Sequence, residues 1–141
     1  MKALLDTNVI LDVLLGRKPH VQASAAIWAA IETGKGKGFL PAHAITTIYY
    51  LSQKQLGSAQ ARRMIRALLQ VFTVAAVDEI VLKNALDLNC PDFEDAVTVA
   101  AAQNAGCELL ITRNPRDFRD APLPIFTPEA ALPLLSNGGS F

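Results

Sequence analysis

Short apolar segments alternate along this chain with stretches of helical periodicity, and that alternation restricts the fold more than any other feature. Ala3–Leu5, Phe39–Leu40, Val71–Val77, Leu109–Thr112 and Ile125–Phe126 are the strand candidates. Between them Thr7–Leu15, Val21–Glu32, Ala42–Gln55, Ala59–Leu69, Glu79–Leu88 and Asp92–Ala105 read as helices, and a last helix runs from Pro128 to Leu135. Strands interleaved with helices predict an α/β fold, a parallel sheet covered on both faces. No repeat and no linker divides the chain, so residues 1–135 are expected to form a single domain, with 136–141 a frayed tail.

Local punctuation sharpens the boundaries. Asp92 is placed to cap the first free N–H groups of its helix, Asp95 occupies the acidic position of a capping box, and Gly106 is suited to the left-handed stop. Asp78 and Ser58 are the expected caps of two earlier helices. Apolar residues make up 51% of the chain and charged residues only 18%, a surplus that points to a core plus a subunit interface, and so to a homodimer. No uncharged run is long enough to span a bilayer, and Asp6 interrupts the N-terminal apolar stretch too soon for a signal peptide. Cys90 and Cys107 stand alone, as reduced thiols of a cytoplasmic protein would. Formal net charge is zero, so a polyanion has to be held by local basic residues.

In open parallel sheets ligands gather beyond the carboxyl ends of the strands. Asp6 follows the first strand, Asp92 and Asp95 open a helix, and Asp117 lies in the loop after Thr112, so acids distant in sequence converge on that edge. Taken singly, each has a plain reading: Asp92 and Asp95 serve the helix start and its dipole, and Asp117 is a turn acid before an apolar anchor. Taken together, Asp92 and Asp95 repel each other unless a cation or a proton lies between them. Asp12, in the middle of its helix, is read as solvated or ion-paired, and Glu94 as a surface residue. Arg62, Arg63 and Arg66 read as a solvated face, and Trp28, Tyr49 and Tyr50 as core or interface. His20 and His43 lack the company that zinc requires.

Three stretches, Leu5-Asp6-Thr7-Asn8-Val9-Ile10-Leu11-Asp12, Pro91-Asp92-Phe93-Glu94-Asp95-Ala96 and Ile111-Thr112-Arg113-Asn114-Pro115-Arg116-Asp117-Phe118, resemble the signature segments of the PIN-domain family. These are metal-dependent nucleases that include the ribonuclease toxins of bacterial toxin–antitoxin pairs. The resemblance runs through nearly the whole chain. It implies a three-layer α/β/α fold and carboxylates that hold Mg²⁺ or Mn²⁺. Asp6 and Asp95 match the first and third acids, with Asn114 and Asp117 in the fourth region and Asp92 beside them. It further implies an RNA substrate and a cognate antitoxin, while the lack of a spanning apolar run is what predicts no membrane partner. Asn8 and Thr112 would orient a carboxylate, while Arg113, Arg116, Arg17 and Lys18 would steer phosphates.

The chain departs from the family at two positions. The family has a glutamate on the helix after the second strand, where this chain has Thr47 and no acid at all, and the fourth acid is replaced by Asn114. An amide oxygen still ligates a hard cation but brings no charge. One alternative is therefore a degenerate PIN-like module that binds RNA or protein without cutting. The other is a phosphotransfer α/β domain of receiver or haloacid-dehalogenase type. Against it, the second Asp expected two residues after the first is Asn8, and a receiver's central Asp and late Lys are not evident.

Overall fold

The computed structural model describes residues 1–136, and the remainder of the expected tail lies outside them. The strands are β1 (Lys2–Leu5), β2 (Lys37–Pro41), β3 (Thr73–Ala75), β4 (Leu109–Ile111) and β5 (Ile125–Phe126). The helices are α1 (Thr7–Leu14), α2 (Val21–Glu32), α3 (Ala42–Leu56), α4 (Ser58–Val71), α5 (Glu79–Leu86), α6 (Phe93–Asn104) and α7 (Pro128–Ser136). A single 3₁₀ turn, Pro115–Phe118, interrupts the loop after β4. All strand pairings are parallel, in the order β3-β2-β1-β4-β5, as the alternation of elements required.

Side chains on successive residues of a strand point to opposite faces, and here both faces are covered. Ala3, Leu5, Leu40, Leu109 and Ile111 enter one core with residues of α1, α2, α3, α4 and α7. Leu4, Phe39 and Leu110 enter a second core with residues of α5 and α6 and with Phe118 of the 3₁₀ turn. The result is three layers, with continuous apolar runs in the central strands because neither side meets water. Trp28 packs edge-on against Phe72 at 5.2 Å, which places it in the first core. Gly38 permits a close approach there: a β-carbon on it would stand 2.7 Å from Phe72 and 2.8 Å from Ile31.

Most boundary signals act as read. Asp78 Oδ1 accepts from the Val81 N–H at 3.0 Å, and Asp92 Oδ1 accepts from the Asp95 N–H at 3.0 Å. Gly106 takes φ +75° just beyond α6. Ser58 does not cap α4. It is the first helical residue, and Gly57, at φ +85°, takes the cap position without a side chain to offer. The third strand is also shorter than Val71–Val77, because Val71 completes α4 and only Thr73–Ala75 pairs with β2.

The sheet order places a switch point between β1 and β4. From β1 the chain moves through α1 and α2 to β2 on one side, and later returns through α5 and α6 to pair β4 on the other. A crevice opens at the carboxyl ends of two such strands. Asp6 follows β1 and Thr112 follows β4, so both stand at that crevice.

Candidate active site

Asp6 is held from three directions. Its N–H donates to the Ile111 carbonyl at 2.9 Å, which continues the β1–β4 pairing by one residue. Its Oδ1 accepts from the Thr7 N–H at 2.9 Å, while Oδ2 accepts from Thr112 Oγ1 at 2.9 Å and from Asn8 Nδ2 at 3.3 Å. The same partners are tied to the loop after β4. Asn8 Oδ1 accepts from the Arg113 N–H at 3.3 Å, and Thr112 Oγ1 accepts from the Asn114 N–H at 3.1 Å. Burial pushes the Asp6 carboxyl above the usual carboxylate range. The bonds from Thr112 and Thr7 oppose that push, while Asp117 and Glu94 reinforce it.

Beneath this web lies a buried ion pair. Asp12, fully enclosed in α1, meets Arg113 Nε at 2.9 Å. Of the two sequence readings of Asp12, the ion-paired one holds and the solvated one does not. The approach is Coulombic, since among the described residues neither Asp12 oxygen receives an aligned hydrogen bond. Arg113 retains partial exposure (27%), so its side chain braces the loop and still meets solvent.

The front of α6 carries the second group of acids. Asp92, Asp95 and Asp117 line one cleft of about 180 Å³ together with Cys90 and Arg116. The Asp95 carboxyl is pushed up to about 7, first by desolvation and then by the charges of Asp92, Asp6, Asp117 and Glu94. Among the described residues no Lys, Arg or His comes within ion-pair distance of Asp6, Asp92, Asp95 or Asp117. Arg116 therefore shares the cleft without pairing, and Arg17 and Lys18, in the α1–α2 turn, are not brought onto the carboxylates. Asn114 is exposed and enters through its backbone alone, donating to Thr112 and accepting from the Asp117 N–H at 3.1 Å. Cys90, on the same cleft, is held protonated: burial and the Asp95 charge both push its thiol up.

Two residues that the sequence reading set aside belong to this edge. Glu94 is exposed, as expected, yet its charge is felt by Asp6, Asp95 and His43. His43, in the first turn of α3, places Nε2 3.4 Å from Thr98 Oγ1, and Thr98 in turn donates to the Glu94 carbonyl at 3.0 Å. The four-residue spacing of Glu94 and Thr98 on α6 was visible in the sequence; the approach of α3 was not.

The donor set suits a hard divalent cation: carboxylate oxygens, no cation at ion-pair distance among the described residues, and an Asp95 whose ionised form is penalised until a positive charge arrives. It is an open arrangement, because among the described residues no three acid, His or Cys side chains are gathered closely enough to enclose an ion.

With this geometry in view, known proteins supply the lineage. The chain is 23% identical over 133 residues to Ribonuclease VapC1 of Aquifex aeolicus, an alignment covering 91% of each. Its fold is similar to a toxin–antitoxin complex from Klebsiella pneumoniae (TM-score 0.69, 24% identity, 89% of this chain and 97% of that one). It is also similar to FitAcB from Neisseria gonorrhoeae (TM-score 0.71, 20% identity, 90% and 98%). The PIN domain family model matches residues 2–116, a span that carries β1 through β4, the Asp6 web and the front of α6, and the chain belongs to the PIN domain family.

Proposed function

We propose that this protein is a Mg²⁺- or Mn²⁺-dependent endoribonuclease, the toxin of a toxin–antitoxin pair. The observation that carries the reading is the acidic edge: Asp6 and Asp95 are both desolvated and both raised, and among the described residues no Lys, Arg or His stands within ion-pair distance of them. Folded proteins rarely keep such a cluster for stability, because like charges in a low-dielectric setting oppose folding. The family and the VapC1 likeness direct the choice toward phosphodiester hydrolysis. Family membership leaves the phosphotransfer alternative without support.

Asp6 and Asp95 would hold the ion, with Asp92 and Asp117 flanking it from the cleft. Held there, a divalent cation would supply charge neutralisation at a phosphate and would acidify a water. The residues of the chain perform the rest. Thr112 and Asn8 fix the rotamer of Asp6, so that its free lone pairs keep one direction. Asp95, pushed up to about 7 first by desolvation and then by the neighbouring acids, is the carboxyl whose ionised form a cation would relieve most. Arg116, unpaired in the same cleft, contributes positive charge for a phosphate, and Arg17 and Lys18 extend that role along the α1–α2 turn.

The partners follow the same lineage: a cognate antitoxin, as in the complex from Klebsiella pneumoniae, and a second copy of this chain. In support of a homodimer, α5 exposes Ile80 (62%) and Leu86 (70%), side chains that a lone domain ordinarily covers. Among the described residues no helix is long and apolar enough to cross a membrane.

The test is cleavage of single-stranded RNA with Mn²⁺ or Mg²⁺, and with EDTA. Cleavage that EDTA abolishes and Asp6→Asn removes is expected. Metal binding without cleavage of any RNA would favour the degenerate module, which Thr47 and Asn114 keep open.

A further inference from the structure

The carboxylate cleft is poorly furnished to hold a polyanion by itself. Four aspartates, Asp92, Asp95, Asp117 and Asp120, line it against two arginines, Arg116 and Arg119. Arg113, at the same edge, has its charge met by buried Asp12. Phosphates on either side of a bond placed there meet more acids than bases, so an RNA strand needs cations elsewhere on the molecule.

The hairpin of α3 and α4 supplies them. From Ala42 to Val71 the chain has Lys54, Arg62, Arg63 and Arg66 and no Asp or Glu, although its overall formal charge is zero. A face built for solubility alone carries both signs interspersed. All four side chains are exposed, and among the described residues none stands within ion-pair distance of a carboxylate. Arg63 is held by a neutral group, donating from Nε and Nη2 to Gln60 Oε1 at 3.1 and 2.7 Å. Arg62 and Arg66 instead line an open groove of about 160 Å³ with Tyr49 and Ile65. The Arg62 guanidinium stands over the Tyr49 ring, 5.7 Å from its centre. Free cations are thus set beside an aromatic ring, the combination that holds phosphates and unpaired bases together.

The groove is also joined to the site. α3 opens at the sheet edge, where His43 Nε2 lies 3.4 Å from Thr98 Oγ1 of α6. Tyr49 follows six residues later, about 9 Å along the helix axis. An acidic protein segment would also satisfy the arginines. The shortage of cations at the cleft, and the helix that links the two places, favour the strand that the cleft itself has to hold.

We infer that the α3–α4 groove is a docking surface for single-stranded RNA, outside the carboxylate cleft, where Arg62 and Arg66 take two backbone phosphates and Tyr49 stacks a base. It reads no sequence, and it serves binding without entering the chemical step. The inference deepens the ribonuclease reading and rests on it for the fate of the RNA, but docking itself requires no metal.

Docking is measured on metal-free protein in EDTA, by the fluorescence anisotropy of a labelled oligouridylate of about twelve nucleotides at several salt concentrations. Arg62→Gln/Arg66→Gln, two exposed changes expected to leave the melting temperature at the parent value, should bind roughly tenfold more weakly. Its log–log salt slope should be shallower by about 1.4, the share of two phosphates on a single strand. Tyr49→Leu should weaken binding about fivefold or more, and Tyr49→Phe should not. Cleavage is then measured with Mn²⁺. The double variant should raise KM for the same oligomer and keep kcat, while a dinucleotide, whose one phosphate is spent at the cleft, is cut equally by variant and parent. Docking that the variants weaken, with no RNA cut, keeps the surface and removes the nuclease. RNA affinity and salt slope equal in parent and double variant overturn the surface, and cleavage by both then leaves the nuclease standing. Poly-glutamate that binds the parent as tightly as RNA, and the double variant less, overturns the RNA assignment and makes the face a dock for an acidic protein.

Discussion

Asp6 and Asp95 are carboxylates on the same sheet edge, both desolvated, and the fold treats them in opposite ways. Asp6 is surrounded by donors: a backbone N–H, a threonine hydroxyl and an asparagine amide, all held in turn by the loop after β4. Asp95 is surrounded by negative charge, and its proton affinity rises until it titrates near neutrality. Hydrogen bonds to the ionised form make one carboxylate a fixed part of the scaffold. Their absence leaves the other responsive to whatever positive charge arrives, whether proton or metal. One edge thus combines a rigidly held carboxylate with a responsive one.

The largest expected effect comes from undoing the rigid side. Arg113→Ala strands Asp12, fully buried in α1, and should destabilise the protein by about 3 kcal/mol or more in urea unfolding. A loss well under about 1 kcal/mol would mean that Asp12 finds another partner, and that the brace beneath Asp6 is not the ion pair.

Next come the two carboxylates themselves. Asp6→Asn and Asp95→Asn should each lower metal-dependent RNA cleavage by about a hundredfold or more, yet shift metal-free stability in opposite directions. An amide at position 6 sets a donor against the Asn8 amide and should cost about 1 kcal/mol. An amide at position 95 removes a repelled charge and should raise the melting temperature in EDTA at pH 8. Equal shifts of the same sign in calorimetry would erase the distinction drawn here.

A pH titration gives a smaller and more specific signal. The folded Asp95 titrates near 7 against an ordinary value of 3.8, so between those values the folded state carries more bound protons than the unfolded one. Its contribution to stability is therefore fully present below pH 3.8, falls as pH rises toward 7, and is absent above. Metal-free melting temperatures measured across this window should show a component of that sign which vanishes in Asp95→Asn, and Mn²⁺ affinity should weaken as pH falls below 7.

The smallest effect separates a cap from a ligand. Asp92→Asn keeps an oxygen for the Asp95 N–H, so stability should change by less than about 0.5 kcal/mol. Cleavage that nevertheless falls sharply places Asp92 among the ligands; unchanged cleavage leaves it a cap.

Signals that act within a few residues were legible in the sequence. The Asp78 and Asp92 caps, the stop at Gly106 and the order of strands and helices follow from spacing and backbone preference, and they place the acids at one edge. Ser58 misled because a serine before a helix has the right chemistry, whereas Gly57 takes the positive φ required at that position and moves the start by one residue. Val71 misled because β-branched propensity is weak beside the packing that extends α4. Contacts between distant segments had no local signature: Asp12 with Arg113, His43 with Thr98, and the influence of Glu94 across the crevice. The resemblance singled out the acids as candidates, but it did not indicate which of them would be clamped and which left free.

The clamp on Asp6 also carries a schedule. Its hydroxyl donor, Thr112, lies 106 residues further along the chain, and β1 gains its β4 neighbour only when Leu109–Ile111 exist. During synthesis the N-terminal elements emerge first, and the carboxylate they carry lacks its Thr112 donor and its β4 neighbour until the chain has been made through that residue. The orientation of Asp6 is thus completed by segments made long after it, so the edge matures only when the two ends of the β1–β4 pairing meet.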